Sequence, residues 1–162
     1  MLGPLTNPAG ANCVLVGVYA PALTEMVAQA LRLLGTRRAF VVHGHDGLDE
    51  ITVCAPTRIS ELKDGMIRTY DVTPDQLLGR QALPEELRGG EAAENAEITR
   101  RILGGEKGAK RDVVIVNAAA ALMAAGVVGD FSEGIRKAEG AIDDGSAAAK
   151  LEGLVRYTRE NG

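Results

Sequence analysis

The sequence predicts an α/β domain, with a partial parallel sheet flanked by helices, a β-hairpin, and a C-terminal half that is helical. Three observations support this fold class. A strand, a helix and a second strand follow one another within residues 14–44. A segment rich in β-branched residues, with a turn at its centre, occupies residues 51–72. From residue 91 onward, apolar residues recur at helical spacing to the end of the chain.

The first unit has the pattern of strand, helix and parallel strand. Residues 14–19 (VLVGVY) and 39–44 (AFVVHG) are short apolar runs, which is typical of strands buried on both faces. Between them, residues 20–35 predict a helix with Pro21 in its first turn and Gly35 at its end. One apolar stripe along this helix should face the sheet; it consists of Leu23, Met26, Val27, Ala30, Leu31 and Leu34.

The second unit is a predicted antiparallel hairpin over residues 51–72, with Lys63-Asp64-Gly65 at its turn. A short helix should follow over residues 73–79. Thr73 is suited to the N-cap of this helix and Pro74 to its first position.

The C-terminal half predicts four helices, over residues 91–105, 108–126, 130–145 and 146–161. In the second of these, a block of alanines continues the Val-Ile-Val run, which favours a helix buried on most sides over a strand. Asp130 and Glu133 have the spacing of a capping box, and Ser146 is the expected cap of the last helix.

Composition limits the class of protein. With 162 residues, 46% of them hydrophobic, the chain can bury a core, and we expect a single domain over residues 1–162 that is part of a larger α/β domain. A net charge of −4 argues against nucleic acid as the main partner. Cys13 and Cys54 lie in apolar runs and are expected to be reduced. The sequence has no signal peptide pattern and its longest apolar run is interrupted by Asn117, so a cytoplasmic protein is expected.

The string HGHDGLDE, residues 43–50, is the main candidate site. It follows a predicted parallel strand, and ligands of such folds bind where the strands end. Asp49 and Glu50 are adjacent hard oxygen donors, which suit Mg²⁺ better than a transition metal. The alternative is a solvated turn. His43 and His45 could be zinc ligands, but without a third partner nearby His43 is better explained as hydrogen-bonded at the strand end.

Three further segments are weaker candidates. Residues 3–8 (GPLTNP) have the composition of a rigid turn or of a backbone that approaches a ligand closely. The start of the helix after Gly89 could attract an anion, although Glu91 and Glu94 already bring negative charge there. Arg111 and Asp112 are most simply a local ion pair or a cap contact. The residues alone do not define a reaction, since the sequence has no P-loop, no dinucleotide-binding glycine string and no catalytic-triad order.

Four strings together carry a resemblance to a known family. They are GPLTNPAGA (3–11), VVHGHDGLDEIT (41–52), GGEAAENAEITRRILGGEKGAKRD (89–112) and NAAAALMAAG (117–126). In this order and spacing they resemble the C-terminal part of the anthranilate phosphoribosyltransferase family, over almost the whole chain. The resemblance implies a catalytic domain of the nucleoside phosphorylase and phosphoribosyltransferase type.

The resemblance also implies an activity and a site. The family transfers the phosphoribosyl group of phosphoribosyl pyrophosphate (PRPP) to the amine of anthranilate in tryptophan biosynthesis, releasing pyrophosphate. Its Mg²⁺-binding Asp-Glu pair falls on Asp49 and Glu50, and its Gly-Pro contact with anthranilate falls on Gly3 and Pro4. No residue of this sequence is assigned a catalytic role, His43 included.

The sequence departs from the family in what it lacks. Family members also carry a helical domain that makes the homodimer contact, a glycine-rich pyrophosphate loop, a Lys-His-Gly-Asn type string and an arginine that faces anthranilate. None of these motifs occurs here. We therefore expect this chain alone to be inactive and to lack the dimer surface. Two alternatives are a non-catalytic binding module of the same fold and a relative of the pyrimidine nucleoside phosphorylases.

Overall fold

The strands and helices follow the predicted order along the chain. The computed structural model describes residues 3–6 and 9–162, without the side chain of Pro4. The strands are β1 (Cys13–Gly17), β2 (Arg38–Gly44), β3 (Thr57–Lys63) and β4 (Met66–Val72). The helices are α1 (Leu23–Leu33), α2 (Pro74–Leu78), α3 (Ala92–Leu103), α4 (Ala109–Ala124), α5 (Phe131–Asp143) and α6 (Ser146–Asn161), with short 3₁₀ helices at Gly3–Leu5 and Pro84–Leu87.

The four strands form one mixed sheet in the order β1-β2-β3-β4. β1 pairs with β2 in parallel, as predicted, and the pairs β2–β3 and β3–β4 are antiparallel. The hairpin turn is confirmed, because Asp64 and Gly65 both have positive φ angles, 52° and 76°, as a tight two-residue turn requires. Residues 51–56 were predicted as strand but form a loop, since the backbone amides of Ile51 and Thr52 bond to side chains.

Helix α1 covers one face of the sheet. Its buried residues are Thr24, Val27, Ala28 and Leu31. The predicted stripe is therefore only partly right, because Met26 is 62% exposed and Leu34 is 61% exposed. The buried face is rotated toward Thr24, whose hydroxyl accepts a hydrogen bond from buried Ser60 on β3 at 3.0 Å. Gly35 ends the helix as predicted, with φ +84°.

Helices α4 and α5 cover the other face. Ile115, Val116, Ala119 and Ala120 of α4 are buried, in agreement with the prediction of a helix enclosed on most sides. The α4–α5 contact is close, because a Cβ added to Gly134 would lie 2.8 Å from the Cβ of Ala119. The glycine thus sets the approach of the two helices.

The caps follow the predictions in two of three helices. Thr73 and Gln76 form a reciprocal capping box at α2. At α5 the Asp130 side chain accepts from the Glu133 amide, as predicted, but the Glu133 carboxylate accepts from Gly129 instead of Asp130. Ser146 is the first helical residue of α6, so its prediction as N-cap is wrong. Gly145 takes that place because its φ of +78° suits a residue without a side chain.

The expected pairing between Arg111 and Asp112 is also wrong. Buried Arg111 donates to Asp143 of α5 at 2.8 Å, and Asp112 forms an ion pair with Arg80 at 2.6 Å. Neighbouring residues on a helix point in different directions, so each of the two reaches a different part of the fold. Both cysteines are free thiols, as predicted, with Cys54 buried and Cys13 half-buried. Within the described residues, none of the helices combines the length and apolar character that a membrane crossing requires.

Candidate functional site

The candidate site is the loop of residues 45–56, which leaves the C-terminal end of β2 and crosses the end of the parallel neighbour β1. The crossing is tight. A Cβ on Gly17, the last residue of β1, would overlap the backbone carbonyl of Asp49. Glycine is therefore the residue that lets the loop lie directly on the strand end. Asp49 and Glu50 are held at the position where ligands of parallel α/β sheets bind.

Asp46 organises the first half of this loop. Its carboxylate accepts from the Thr52 hydroxyl at 2.6 Å and from the Leu48 amide at 3.3 Å. The backbone closes on itself as well, because the Gly44 amide donates to the Leu48 carbonyl at 2.7 Å. These bonds draw residues 44–48 into a compact turn, so that Asp49 and Glu50 follow it in a fixed direction.

Asn117 of α4 holds the second half. Its Oδ1 accepts from the Ile51 amide at 2.9 Å, and its Nδ2 donates to the Ile51 carbonyl at 2.9 Å. The next residue, Thr52, donates its amide to the Thr57 hydroxyl at 3.0 Å. The backbone that follows Glu50 is thus attached to a helix of the core.

Asp49 and Glu50 themselves remain accessible to solvent. Partial burial raises the pKa of Glu50 above its ordinary value, and the negative charge of Asp49 adds to the shift. A bound cation would relieve both effects. Among the described residues, no three His, Cys, Asp or Glu side chains come together as a metal cage. Two open carboxylates fit a hard cation such as Mg²⁺, which retains water and completes its coordination with ligand phosphates.

The two histidines have other roles. His43 is buried, and its Nδ1 lies 2.7 Å from the Val18 carbonyl, which confirms the expected hydrogen bond at the strand end. The His45 ring lies 3.8 Å from the Asp71 carboxylate, which is also bound by Arg58 at 3.0 Å. Neither contact belongs to a zinc site.

A cleft of about 520 Å³ opens beside Glu50. It is bordered by the loop, the segment before α3, and helices α3 and α4; its residues include Leu48, Glu50, Leu87, Asn95, Lys110 and Asn117. The Lys110 ammonium donates to the Glu86 carbonyl at 2.8 Å, which ties the segment before α3 to α4. The lining of the cleft is mostly apolar, and its charged residues are Glu50 and Lys110.

The described part of the predicted segment at residues 3–8 packs on the α1 side of the sheet. Gly3 is exposed in the 3₁₀ helix Gly3–Leu5, and Leu5 packs into the apolar cluster on the α1 side of the sheet. Ile51 and Val53, which follow Asp49 and Glu50 on the loop, belong to the cluster on the opposite side. The side chain of Pro4, and residues 7 and 8, lie outside the described residues. The roles assigned to Gly3 and Pro4 therefore stay predictions.

The possible anion site at the start of α3 has no support. The Asn95 side chain accepts from the Gly90 amide at 2.9 Å, so this donor is already used. The Glu94 carboxylate lies against Gly90 and adds negative charge there. An anion at this point would have to displace both side chains.

Sequence reasoning missed Gly17, Asp46, Thr52 and Asn117. For Asn117 the signal was available, because it is a single amide inside an apolar helical run. A polar side chain that is even partly buried needs hydrogen-bond partners, and this one should have been expected to hold another segment. For the other three no comparable signal existed, since small polar residues and glycine are common in loops.

Comparisons with known proteins agree with this geometry. The profile described as "Glycosyl transferase family, a/b domain" matches residues 1–148. The chain is 68% identical to an anthranilate phosphoribosyltransferase of Syntrophobacter fumaroxidans, over 99% of this chain and 48% of the relative. It is 64% identical to that of Desulfatibacillum aliphaticivorans, again over 48% of the relative. The chain therefore spans about half the length of the curated relatives that it matches.

Solved structures give the same match. The anthranilate phosphoribosyltransferase of Thermus thermophilus superimposes with a TM-score of 0.86 at 38% identity, over 98% of this chain and 46% of that one. The enzyme of Saccharomyces cerevisiae, solved in complex with PRPP and Mg, gives a TM-score of 0.80 at 28% identity, over 93% of this chain and 44% of that one. The fold predicted from the sequence is thereby confirmed.

Proposed function

The chain belongs to the glycosyl transferase family through its α/β domain, and we propose that it forms the cation-binding half of an anthranilate phosphoribosyltransferase. The proposed reaction joins the amine nitrogen of anthranilate to C1 of the ribose of PRPP, while the bond from C1 to the pyrophosphate oxygen breaks. The observation that carries the proposal is the Asp49-Glu50 pair on its immobilised loop at the ends of β1 and β2. The 68% identity to a curated relative supports the same reaction.

Asp49 and Glu50 are the proposed cation ligands. Their negative charge, their access to solvent and the raised pKa of Glu50 fit a site that is completed by a cation. The yeast relative was solved with PRPP and Mg. When bound, Mg²⁺ would offset the negative charge that builds on the departing pyrophosphate. The chain's own contribution is to hold two carboxylates in place through Gly17, Asp46 and Asn117.

Gly3 and Pro4 are the proposed contact with anthranilate. Support comes from the family resemblance of the string that contains them and from the yeast relative, which was also solved in complex with 4-fluoroanthranilate. No general acid or base is assigned within this chain. The proposal places the protein in the cytoplasm, and it includes the family's homodimer contact only for a protein that also carries the family's helical domain.

We propose that the chain by itself does not turn over. Two carboxylates bind Mg²⁺ weakly without a second set of groups for the substrate phosphates, because Mg²⁺ demands a nearly complete coordination shell. The chain spans about half the length of its relatives, and we propose that the remaining length of such a relative supplies the missing groups.

The test follows the loss of anthranilate fluorescence with PRPP and Mg²⁺. The chain is assayed alone and together with the N-terminal half of the Syntrophobacter fumaroxidans relative. We expect turnover only in the mixture, and at least a hundredfold loss when Asp49→Asn and Glu50→Gln are combined. The matched control removes two carboxylates from exposed positions of α6, with Glu152→Gln and Glu160→Gln, and should retain activity.

Two outcomes would contradict the proposal. Turnover by the chain alone would show that the site needs no second half. No turnover in either sample, from a chain shown to be folded by circular dichroism, would favour the non-catalytic binding module.

A further inference from the structure

Asn117 uses its whole side chain on two backbone segments. The Nδ2 group donates to the Ile51 carbonyl at 2.9 Å and to the Val113 carbonyl at 2.8 Å, while Oδ1 accepts from the Ile51 amide at 2.9 Å. Both amide hydrogens and the oxygen are therefore occupied. The orientation of the amide is fixed by its partners, since only the oxygen can accept from Ile51 and only the nitrogen can donate to the two carbonyls.

The Ile51 amide belongs to the peptide bond that joins Glu50 to Ile51. Holding this amide fixes the plane of that peptide, which carries the Cα of Glu50 on one side; the direction of the Glu50 side chain also depends on the peptide that precedes it. One residue earlier, the Asp49 carbonyl lies against Gly17. The two carboxylates are thus fixed from both ends, by the end of β1 and by α4.

Helix α4 is a rigid base for this contact. Ile115, Val116 and Ala119, on either side of Asn117, are buried in the core. Asn117 and Glu50 also line the same cleft, so the amide holds the loop at the edge of the space that a ligand would enter. Because Asn117 lies on a helix that is packed in the core, its hydrogen bonds to the loop limit the motion of the loop more than bonds between two exposed segments would.

We propose that Asn117 is a positioning residue for the cation site: its amide holds the Glu50–Ile51 peptide so that Asp49 and Glu50 bind one divalent cation together. This inference rests on the proposed function. It differs from a purely structural role, in which loss of Asn117 would lower the stability of the fold and leave the cation affinity unchanged.

Two variants of Asn117 separate the effect of losing its two donor hydrogen bonds from the effect of losing all three. Asn117→Asp keeps the shape and the acceptor but loses both donors, and Asn117→Leu loses all three hydrogen bonds at similar volume. Both should weaken cation binding by about 10- to 100-fold, which is the usual effect of removing a group that orients a metal ligand. Because Asp adds a negative charge near the site, the proposal requires that the uncharged Leu variant also bind more weakly.

The probe is Mn²⁺ alone, added to the isotopically labelled 162-residue chain. Paramagnetic broadening of the amide signals of residues 49–51 reports binding at the loop, and hydrogen exchange at the Ile51 amide reports the contact itself. We expect faster exchange and weaker broadening in both variants. The chain with Asp49→Asn and Glu50→Gln serves as the blank and should show no broadening at this loop.

The matched control is Val27→Ala, in α1 on the opposite face of the sheet. It should lower the melting temperature without changing the Mn²⁺ affinity, which separates stability from positioning. Unchanged Mn²⁺ affinity in Asn117→Leu, together with faster exchange at Ile51, would overturn the role of Asn117 and leave the proposed function intact. Absence of broadening in the unmodified chain would overturn the cation site itself and the inference with it. Should Asn117→Leu fail to fold, the uncharged variant Asn117→Ala decides in its place.

Discussion

At the level of single residues, Asp49 and Glu50 are both accessible to solvent, but the surrounding protein shields part of the Glu50 carboxylate. Asp49 and Glu50 are adjacent carboxylates on a loop whose backbone is held from three sides, by Gly17, Asp46 and Asn117. The loop cannot rearrange to separate the two charges without losing those contacts. Partial burial of Glu50, with the neighbouring charge of Asp49 as a second cause, raises the pKa of Glu50, and this shift is a cost to the stability of the fold when no cation is bound.

This cost gives a pH dependence with a definite sign. Because the folded state raises the pKa of Glu50 above its unfolded value, folding stability from this group is present at low pH and is lost as pH rises through the folded pKa. Glu50→Gln removes the ionisation. In EDTA at pH 7 the variant should therefore be more stable than the unmodified chain, by less than about 1 kcal/mol because solvent screens a partly exposed carboxylate.

The measurement is urea unfolding of both proteins between pH 3.5 and 7.5. The advantage of Glu50→Gln should shrink toward zero below about pH 4, where the unfolded-state carboxyl is protonated as well. Glu160→Gln, at the exposed end of α6, is the control and should show no such trend. An advantage that grows as the pH falls would contradict the sign of the pKa shift.

At the level of the elements, the approach of α4 and α5 depends on one glycine. Gly134 faces Ala119 so closely that an added methyl group would lie 2.8 Å from the Ala119 Cβ. Gly140 lies on the same helix, and a methyl group added there meets no atom within 4 Å. The contact between α4 and α5 therefore requires a glycine at position 134 but not at position 140, although both glycines lie on the same helix.

Gly134→Ala should lower the free energy of unfolding by about 1–3 kcal/mol, because the helices must move apart in a close-packed core. Gly140→Ala should raise it by about 0.5–1 kcal/mol, because alanine is the better helix former and no contact opposes it. Chemical denaturation of the two variants tests the pair. If Gly134→Ala left the free energy of unfolding unchanged, the contact between Gly134 and Ala119 would not limit how closely α4 and α5 approach. If Gly140→Ala lowered the free energy of unfolding, the space around Gly140 would not be open.

At the level of the whole molecule, the two edges of the sheet differ. β4 at one edge is largely exposed and carries the charged residues Arg68 and Asp71. β1 at the other edge reads CVLVG, and within the described residues it has a strand partner on one side only. An uncharged apolar edge strand is a template for pairing with another chain.

The 162-residue chain should therefore associate in a concentration-dependent manner. Val14→Lys, which places a charge on β1, should shift association to concentrations about tenfold higher, equivalent to roughly 1.4 kcal/mol. Sedimentation velocity over a concentration series measures the shift, with circular dichroism to verify that the variant is folded.

Met66→Lys makes the matched change on β4, where Met66 is already 68% exposed. It should leave the association unchanged. Equal effects of the two substitutions would indicate that association does not use the β1 edge.

Local patterns in the sequence were sufficient to predict the elements and their order. Strands, helices, the Asp64-Gly65 turn and the caps at Thr73 and Asp130 depend on residues within a few positions of one another, which is why local patterns predicted them. The position of the acidic pair after a parallel strand followed from the same patterns. The family strings added the expectation of a reaction, which no local pattern carries.

Only the tertiary structure decided which distant residues hold those elements in place. Asn117 reaches Ile51 across 66 positions, Arg111 reaches Asp143 rather than its neighbour Asp112, and Gly17 accommodates the Asp49 carbonyl. The buried face of α1 was likewise decided by what the sheet presents to it, leaving Met26 and Leu34 exposed. Hydrogen bonds, ion pairs and close packing act over a few ångströms in space, and separation along the chain does not reveal which residues the fold brings within that distance.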